Sequence, residues 1–336
     1  MTDRFNPWPA GDWRRLLAEA VTDSATLEDV LRLDPADAPS ADAERQFPVR
    51  VPRDFLSRIR PGSDDDPLLL QIRPTSSEDL PASGYTVDPV GELRSPPADG
   101  VLQKYRGRAL LLVTSACAVH CRYCFRRHFP YDDHMVAGAV WDAAIDRISG
   151  DPELSEVILS GGDPLMVPDD RLSRLARKIA AIPHVRRLRI HTRLPIVLPE
   201  RVDEALVEWV SSLAVPLIMV VHANHPREMD GDVRRALGVL RDTGVTLFNQ
   251  AVLLRGVNDS AEILSGLSEA LISSGVTPYY LHLLDRVHGA AHFEVPEAEA
   301  LEIVAKLRER LPGYLVPRLV REVAGAASKI PVELRE

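Results

Sequence analysis

From residue 109 onward the chain alternates between two kinds of segment, and that alternation leaves few folds open. Short apolar runs of strand length fall at residues 109–114, 156–160, 187–191, 217–221, 246–250 and 279–283. Amphipathic stretches of helical length lie between and after them, at 137–148, 169–181, 200–211, 230–242, 261–274 and 297–310. Six such units in series predict one parallel sheet joined by right-handed crossovers. Periodicity alone does not say whether the sheet closes. The residues at the strand ends bear on that: Cys117 after the first, Gly161-Gly162-Asp163 after the second, then His191 and Arg193, His222 and Asn224, Gln250, and Asp285. Barrels of parallel strands carry their active sites at these ends. The pattern therefore favours a barrel or partial barrel, with an open doubly wound sheet as the alternative.

The first hundred residues lack the alternation. Helical patterning at 13–21 and 27–33 gives way to a passage rich in Pro and Asp, with loops expected at 34–42 and 61–66 and a short helix at 52–59. The division predicted is an N-terminal accessory region at 1–100, a barrel core at 101–295, and a C-terminal segment at 296–336 packing on the barrel. With 45% apolar and 26% charged residues the composition is that of a soluble globular protein. A formal charge of −9 argues against broad contact with phosphate backbones, so no nucleic-acid partner is expected. No apolar run approaches the ~20 residues that span a bilayer, and the start MTDRFNPWPAGDW has no secretory pattern. No membrane association and a cytoplasmic location are expected, where three unpaired cysteines would stay reduced.

Those three are all the cysteines there are, and they fall within Cys117-Ala118-Val119-His120-Cys121-Arg122-Tyr123-Cys124. Thiolates are soft ligands that suit an iron–sulfur cluster or zinc, and closed sites of either kind usually take four. With no fourth cysteine, one metal position is expected to be open. Zinc completed by His120 or His128 remains an alternative, as do three plain structural cysteines. The C-x3-C-x2-C spacing with an aromatic before the last cysteine resembles the signature of the radical S-adenosylmethionine (SAM) enzymes. The resemblance implies an α/β fold, the radical SAM partial (β/α)6 TIM barrel, preceded here by the mainly helical accessory region. It further implies a [4Fe-4S] cluster on Cys117, Cys121 and Cys124 whose fourth iron binds SAM, with Tyr123 near the adenine. An electron donor such as flavodoxin or ferredoxin is implied as well.

Leu159-Ser160-Gly161-Gly162-Asp163 offers two glycines that admit close backbone approach, then a carboxylate. In this context Gly161, Gly162 and Asp163 resemble the superfamily's glycine-rich SAM-binding segment. Only four lysines occur: Lys104, Lys178, Lys306 and Lys329. Lys178 and Lys306 fall in helical patterns and read as solvated charges. Lys329 sits in Gly325-Ala326-Ala327-Ser328-Lys329-Ile330-Pro331, small residues that permit close approach to a bulky group, and a lysine in such a setting can carry pyridoxal 5′-phosphate (PLP).

From about residue 85 to the C-terminus the chain resembles the lysine 2,3-aminomutases, isomerases that use both SAM and PLP. The agreement runs in order through Tyr105-Arg106-Gly107-Arg108, Cys121-Arg122-Tyr123-Cys124-Phe125-Arg126-Arg127, residues 159–165, His222-Ala223-Asn224-His225-Pro226, Asn249-Gln250, residues 253–259, Pro278-Tyr279-Tyr280 and Ser328-Lys329-Ile330-Pro331. The resemblance implies that Lys329 carries PLP, Arg108 binds its phosphate, and His222 and Gln250 contact SAM. It implies that Arg126 holds the substrate carboxylate and that Asp285 meets the distal ammonium. Glu322 stands where the free-lysine enzymes have a second aspartate, and His282 where they usually have tyrosine. Two retained carboxylates argue for lysine over glutamate as substrate.

The chain stops seven residues after Lys329, without the cysteine-bearing zinc segment that the longer enzymes use in oligomerisation; a homo-oligomer stays open. With Phe125 after the cluster motif, this resembles the short branch of elongation factor P β-lysylation proteins. The expected reaction is α-lysine to (R)-β-lysine through a 5′-deoxyadenosyl radical, linked to elongation factor P and its lysyl ligase. A soluble β-lysine pool, a radical SAM enzyme of another outcome such as RNA modification, and a non-catalytic iron–sulfur or zinc protein are the competing expectations.

Overall fold

A computed structural model of the chain describes residues 7–34, 41–93, 100–130 and 139–333. Its sheet has nine strands: β1 Val101–Tyr105, β2 Arg108–Thr114, β3 Glu156–Gly161, β4 Arg187–Thr192, β5 Leu217–Val221, β6 Thr246–Val252, β7 Thr277–His282, β8 Arg318–Arg321 and β9 Ile330–Pro331. They lie side by side in sequence order. β2 to β8 run parallel, while β1 and β9 pair antiparallel at the two edges. A doubly wound sheet would reverse its order about a switch point. This order never reverses, so the helices stay on one face and the sheet curls into a partial barrel.

Side-chain alternation along the strands separates residues that face an internal cavity from residues that face the helices. In β4, Leu188, Ile190 and Thr192 are buried, whereas Arg189 and His191 line an internal cavity. Lys104 of β1 and Lys329, next to β9, line the same cavity, so the two edges of the sheet close on one space. The outer face packs against helices Ala139–Gly150, Asp169–Ala180, Glu204–Ser211, Gly231–Asp242, Ala261–Ser273 and Glu297–Arg310. One predicted helix is corrected. Over 200–211 the chain makes a 3-10 turn at Pro199–Arg201, and Asp203 then caps a shorter helix by accepting the Leu206 N–H at 2.9 Å. An N-cap side chain offers the backbone an ending it prefers to a continuous helix.

The accessory region holds helices Asp12–Ala18, Ser24–Leu31, Ala41–Gln46 and Arg53–Leu56. The loop expected at 34–42 overlaps the third helix at residues 41 and 42, and its residues 35–40 lie outside the described residues, as do 137 and 138 of the helix predicted at 137–148. Trp13, Leu17, Leu27 and Phe55 belong to the same apolar core as the barrel helices. Polar latches reinforce this docking: Gly11 N donates to Asp203 Oδ2 at 3.0 Å, and Arg58 Nε lies 2.6 Å from Asp230 Oδ2. Among the described residues no helix is long and apolar enough to cross a membrane.

Candidate active site

The cavity, about 370 Å³, lies at the C-terminal ends of the parallel strands. Its size suits a small-molecule site. Every cluster, cofactor and substrate residue singled out from the sequence lines it, from Arg108 through Cys117, Cys121 and Cys124 to Asp285, Glu322 and Lys329.

The cysteine loop leaves the end of β2 and is gripped from two sides. On one side the glycines after β3 bring backbone onto it: Gly162 N donates to Thr114 O at 2.6 Å and Asp163 N to Ala116 O at 2.8 Å. A Cβ on Gly161 would lie 2.3 Å from Thr114 O, and one on Gly162 2.3 Å from Ala116 O. Gly161 also has φ +127, which disfavours any side chain. These glycines therefore seat the loop that ends in Cys117. The Asp163 carboxylate is likewise spent inside the protein, accepting from Thr192 Oγ1, Arg193 N, Leu194 N and Leu165 N.

On the other side the accessory region holds the loop. His120 N donates to Arg50 O and Arg122 N to Gln71 O, both at 2.9 Å. The buried Arg122 guanidinium forks onto Glu78 at 2.8 and 2.6 Å, and Arg127 shares that carboxylate at 2.5 Å. Burial pushes Glu78 up, but Arg122 and Arg127 outweigh it and hold it below the usual carboxylate range.

Cys117, Cys121 and Cys124 are unpaired thiols, and Cys124 N donates to Cys121 O in the turn between them. Burial, then repulsion from Cys124, raises Cys117, and burial with Cys121 raises Cys124 to about 11. A cationic cluster removes that penalty by taking all three as thiolates, so the donor set fits one. The histidines needed for the zinc alternative are engaged elsewhere. His120 Nδ1 sits 2.8 Å from Pro48 O with its ring stacked on Phe47, and His128 Nε2 sits 3.2 Å from His288 O.

Beside the thiols lies a buried polar hub that sequence reasoning missed. Arg193 donates to Cys121 Sγ and Tyr123 Oη at 2.7 Å, to Gln71 Oε1 at 2.6 Å and to Glu228 Oε2 at 2.9 Å. Tyr123 Oη also meets Asn224 Nδ2 at 2.7 Å and His222 Nε2 at 3.0 Å, and its ring stacks on His222. Burial, helped by Arg193, lowers His222 to about 3, so it is neutral at pH 7. Arg193 was visible only as a polar residue after a strand; its four partners lie far apart in sequence.

Across the cavity, Lys329 Nζ donates to Glu322 Oε2 at 2.6 Å and lies over the Tyr280 ring. Glu322 also accepts from Tyr105 Oη. Burial raises Glu322, yet Lys329 outweighs it and the carboxylate stays ionised at pH 7. Asp285 goes the other way: burial and then Glu322 push it up to about 7, against the pull of Lys329. The two carboxylates thus face one cavity and repel each other, which suits a cationic guest. Arg126 is forked onto Glu92 at 2.7 and 2.9 Å, a partner not foreseen. Arg108 lies over the Tyr105 ring. His191 and His282, neutral because burial lowers both, each leave Nε2 without a hydrogen bond in the cavity wall. Orphaned nitrogens there, with an amine and an arginine, fit a polar cofactor such as PLP and its substrate.

Comparison with known proteins gives the same picture. Residues 111–265 match the model of the Radical SAM superfamily. The L-lysine 2,3-aminomutase of Escherichia coli (strain K12) is 48% identical over 326 residues, covering 96% of this chain and 95% of that protein. The Haemophilus influenzae protein of the same name is 44% identical, covering 95% and 94%. The Clostridium subterminale L-lysine 2,3-aminomutase is 39% identical over 280 residues, 83% of this chain and 67% of that protein.

Proposed function

Because the chain belongs to the lysine 2,3-aminomutase family of radical SAM isomerases, whose members use a [4Fe-4S] cluster, SAM and PLP, we propose that it converts α-lysine to (R)-β-lysine. The observation that carries this reading is the single cavity shared by three thiols, a lysine amine and two mutually repelling carboxylates. When bound, the cluster and SAM would supply 5′-deoxyadenosyl radical chemistry suited to an unactivated C–H bond, and PLP would supply a carrier for the substrate's amino group.

The chain's own residues bind, orient and exclude water. Cys117, Cys121 and Cys124 hold the cluster, with Arg193 donating to the Cys121 sulfur. Gly161, Gly162 and Asp163 shape the SAM side through the turn they build, and Tyr123, His222 and Gln250 complete it. Lys329 carries PLP and Arg108 takes its phosphate. Arg126 receives the substrate carboxylate; Asp285 and Glu322 receive the distal ammonium, where a glutamate side chain would be repelled. We assign residues 1–100 as the region that braces the cysteine loop, 101–295 as the barrel core and 296–336 as the segment that delivers Lys329. We also assign a cytoplasmic location, a flavodoxin or ferredoxin as electron donor, and elongation factor P, through its lysyl ligase, as the destination of the β-lysine.

The test is an anaerobic assay of reconstituted, PLP-loaded protein with labelled lysine, with iron content and PLP absorbance read on the same sample. β-Lysine formation and loss of that absorbance in Lys329→Ala are expected. If no lysine is converted and the reduced cluster's EPR ignores added SAM, the reading fails. The link to elongation factor P is tested by the mass of that factor in cells lacking this gene: an unchanged β-lysyl adduct would favour a soluble β-lysine pool.

A further inference from the structure

Glu92 occupies the fork that a substrate carboxylate would need. It is 3% exposed and accepts from Nε and Nη2 of Arg126, at 2.7 and 2.9 Å. Nη1 of the same guanidinium donates to Ser160 Oγ at 3.1 Å and to Gly161 O at 3.2 Å. A guanidinium has five N–H donors, so these four bonds leave at most one for a newcomer. Burial pushes Glu92 up, but Arg126 and Lys104 outweigh it and hold it at about 2, so a second carboxylate at Arg126 would meet a full negative charge. Lys104 Nζ stands 3.0 Å from the same Glu92 carboxylate and 3.9 Å from Glu322 Oε1. Of the four lysines, it is the one the sequence left without either a surface or a cofactor role.

Resting on the lysine reading, we propose that Glu92 stands in for the substrate's α-carboxylate in the ligand-free protein and that lysine binding exchanges the two. The incoming carboxylate takes the Arg126 fork, and Glu92 withdraws onto Lys104. Two carboxylates then face two cations, and neither anion is left buried without a partner, which would be costly.

The exchange is tested by titrating L-lysine and cadaverine, which is lysine without its carboxylate, into the PLP-loaded, reconstituted protein without SAM, by anaerobic calorimetry. Glu92→Gln removes the competing charge and should tighten lysine by about three- to tenfold, because the fork is no longer pre-occupied. Lys104→Gln strands the displaced Glu92 and should weaken lysine by about tenfold or more. Cadaverine should change by less than about twofold in both. The two variants are independent, so misfolding of one leaves the other as the test. Weaker or unchanged lysine binding in Glu92→Gln, unchanged binding in Lys104→Gln, or an equal change for cadaverine overturns the exchange and makes Glu92 a fixed brace. If the wild-type protein binds cadaverine and lysine equally or neither at all, the lysine reading itself falls.

Discussion

Replacing Gly162 with alanine should empty the metal site while leaving the barrel standing. The added Cβ would lie 2.3 Å from Ala116 O and 2.6 Å from Ser115 O, where real contacts stop near 3.0 Å. Both obstacles are backbone, with no rotamer to yield, so the loop has to retreat by about 0.7 Å at Ala116. Such a shift takes the 2.8 Å bond from Asp163 N to Ala116 O out of hydrogen-bonding range. Losing that bond costs about 1 kcal/mol, and overpacking adds roughly 1–3 kcal/mol. Together they weaken the seated loop by about 30- to 700-fold, and Cys117 is the next residue along. The assay is iron and sulfide content after anaerobic reconstitution, with the half-life of the cluster under chelator and far-UV circular dichroism on the same sample. Gly231→Ala, whose Cβ meets nothing within 4 Å, is the control and should keep its iron. A Gly162→Ala protein with full iron and wild-type resistance to chelator would refute the reasoning.

Asp285 predicts a pH signature with a definite sign. Its folded pKa, about 7, lies above the ordinary 3.8, so its contribution to ligand-free stability is present below pH 4 and lost as pH rises through 7. The ionised form binds the ammonium, so lysine affinity should rise by up to about tenfold per pH unit below 7 and level off above it. Asp285→Asn should flatten both profiles, measured by thermal denaturation and calorimetry between pH 5 and 8. Glu78→Ala should cost about 3–5 kcal/mol in denaturant unfolding, because it strands the buried Arg122 and Arg127. Glu78 has a lowered pKa, so its stabilising part is present at neutral pH and fades as pH falls below the usual carboxylate range. The wild-type advantage over Glu78→Ala should shrink there.

The strands of the barrel were legible because each is a compact apolar run. The segment expected at 217–221 coincides with β5, and those expected at 156–160 and 187–191 fall one residue short of β3 and β4. The edges were not. In β1, Val101 and Leu102 are buried but Gln103 and Lys104 are exposed, so no alternation marks it, and β9 is two residues long. Cys117, Cys121, Cys124 and Lys329 stood out through their scarcity and spacing. Glu92, Glu78, Arg193 and Gln71 did not, because their meaning lies in partners tens of residues away, and single charged or amide residues are usually solvated. The glycine pair was read as a place of close approach; the backbone that approaches it is the cysteine loop itself.

The order in which the chain emerges gives the two halves of the site different histories. Most polar contacts on the cysteine loop, from Arg50, Gln71 and Glu78 to Arg193 and Glu228, come from residues before 229, while Arg127 also donates to Gly289 O. Lys329 and its partner Glu322 come about a hundred residues later, which at roughly 5–20 residues per second is a delay of about 5–20 s during synthesis. For that interval the chain holds most of the polar braces of the thiols but lacks the strand that brings in the amine.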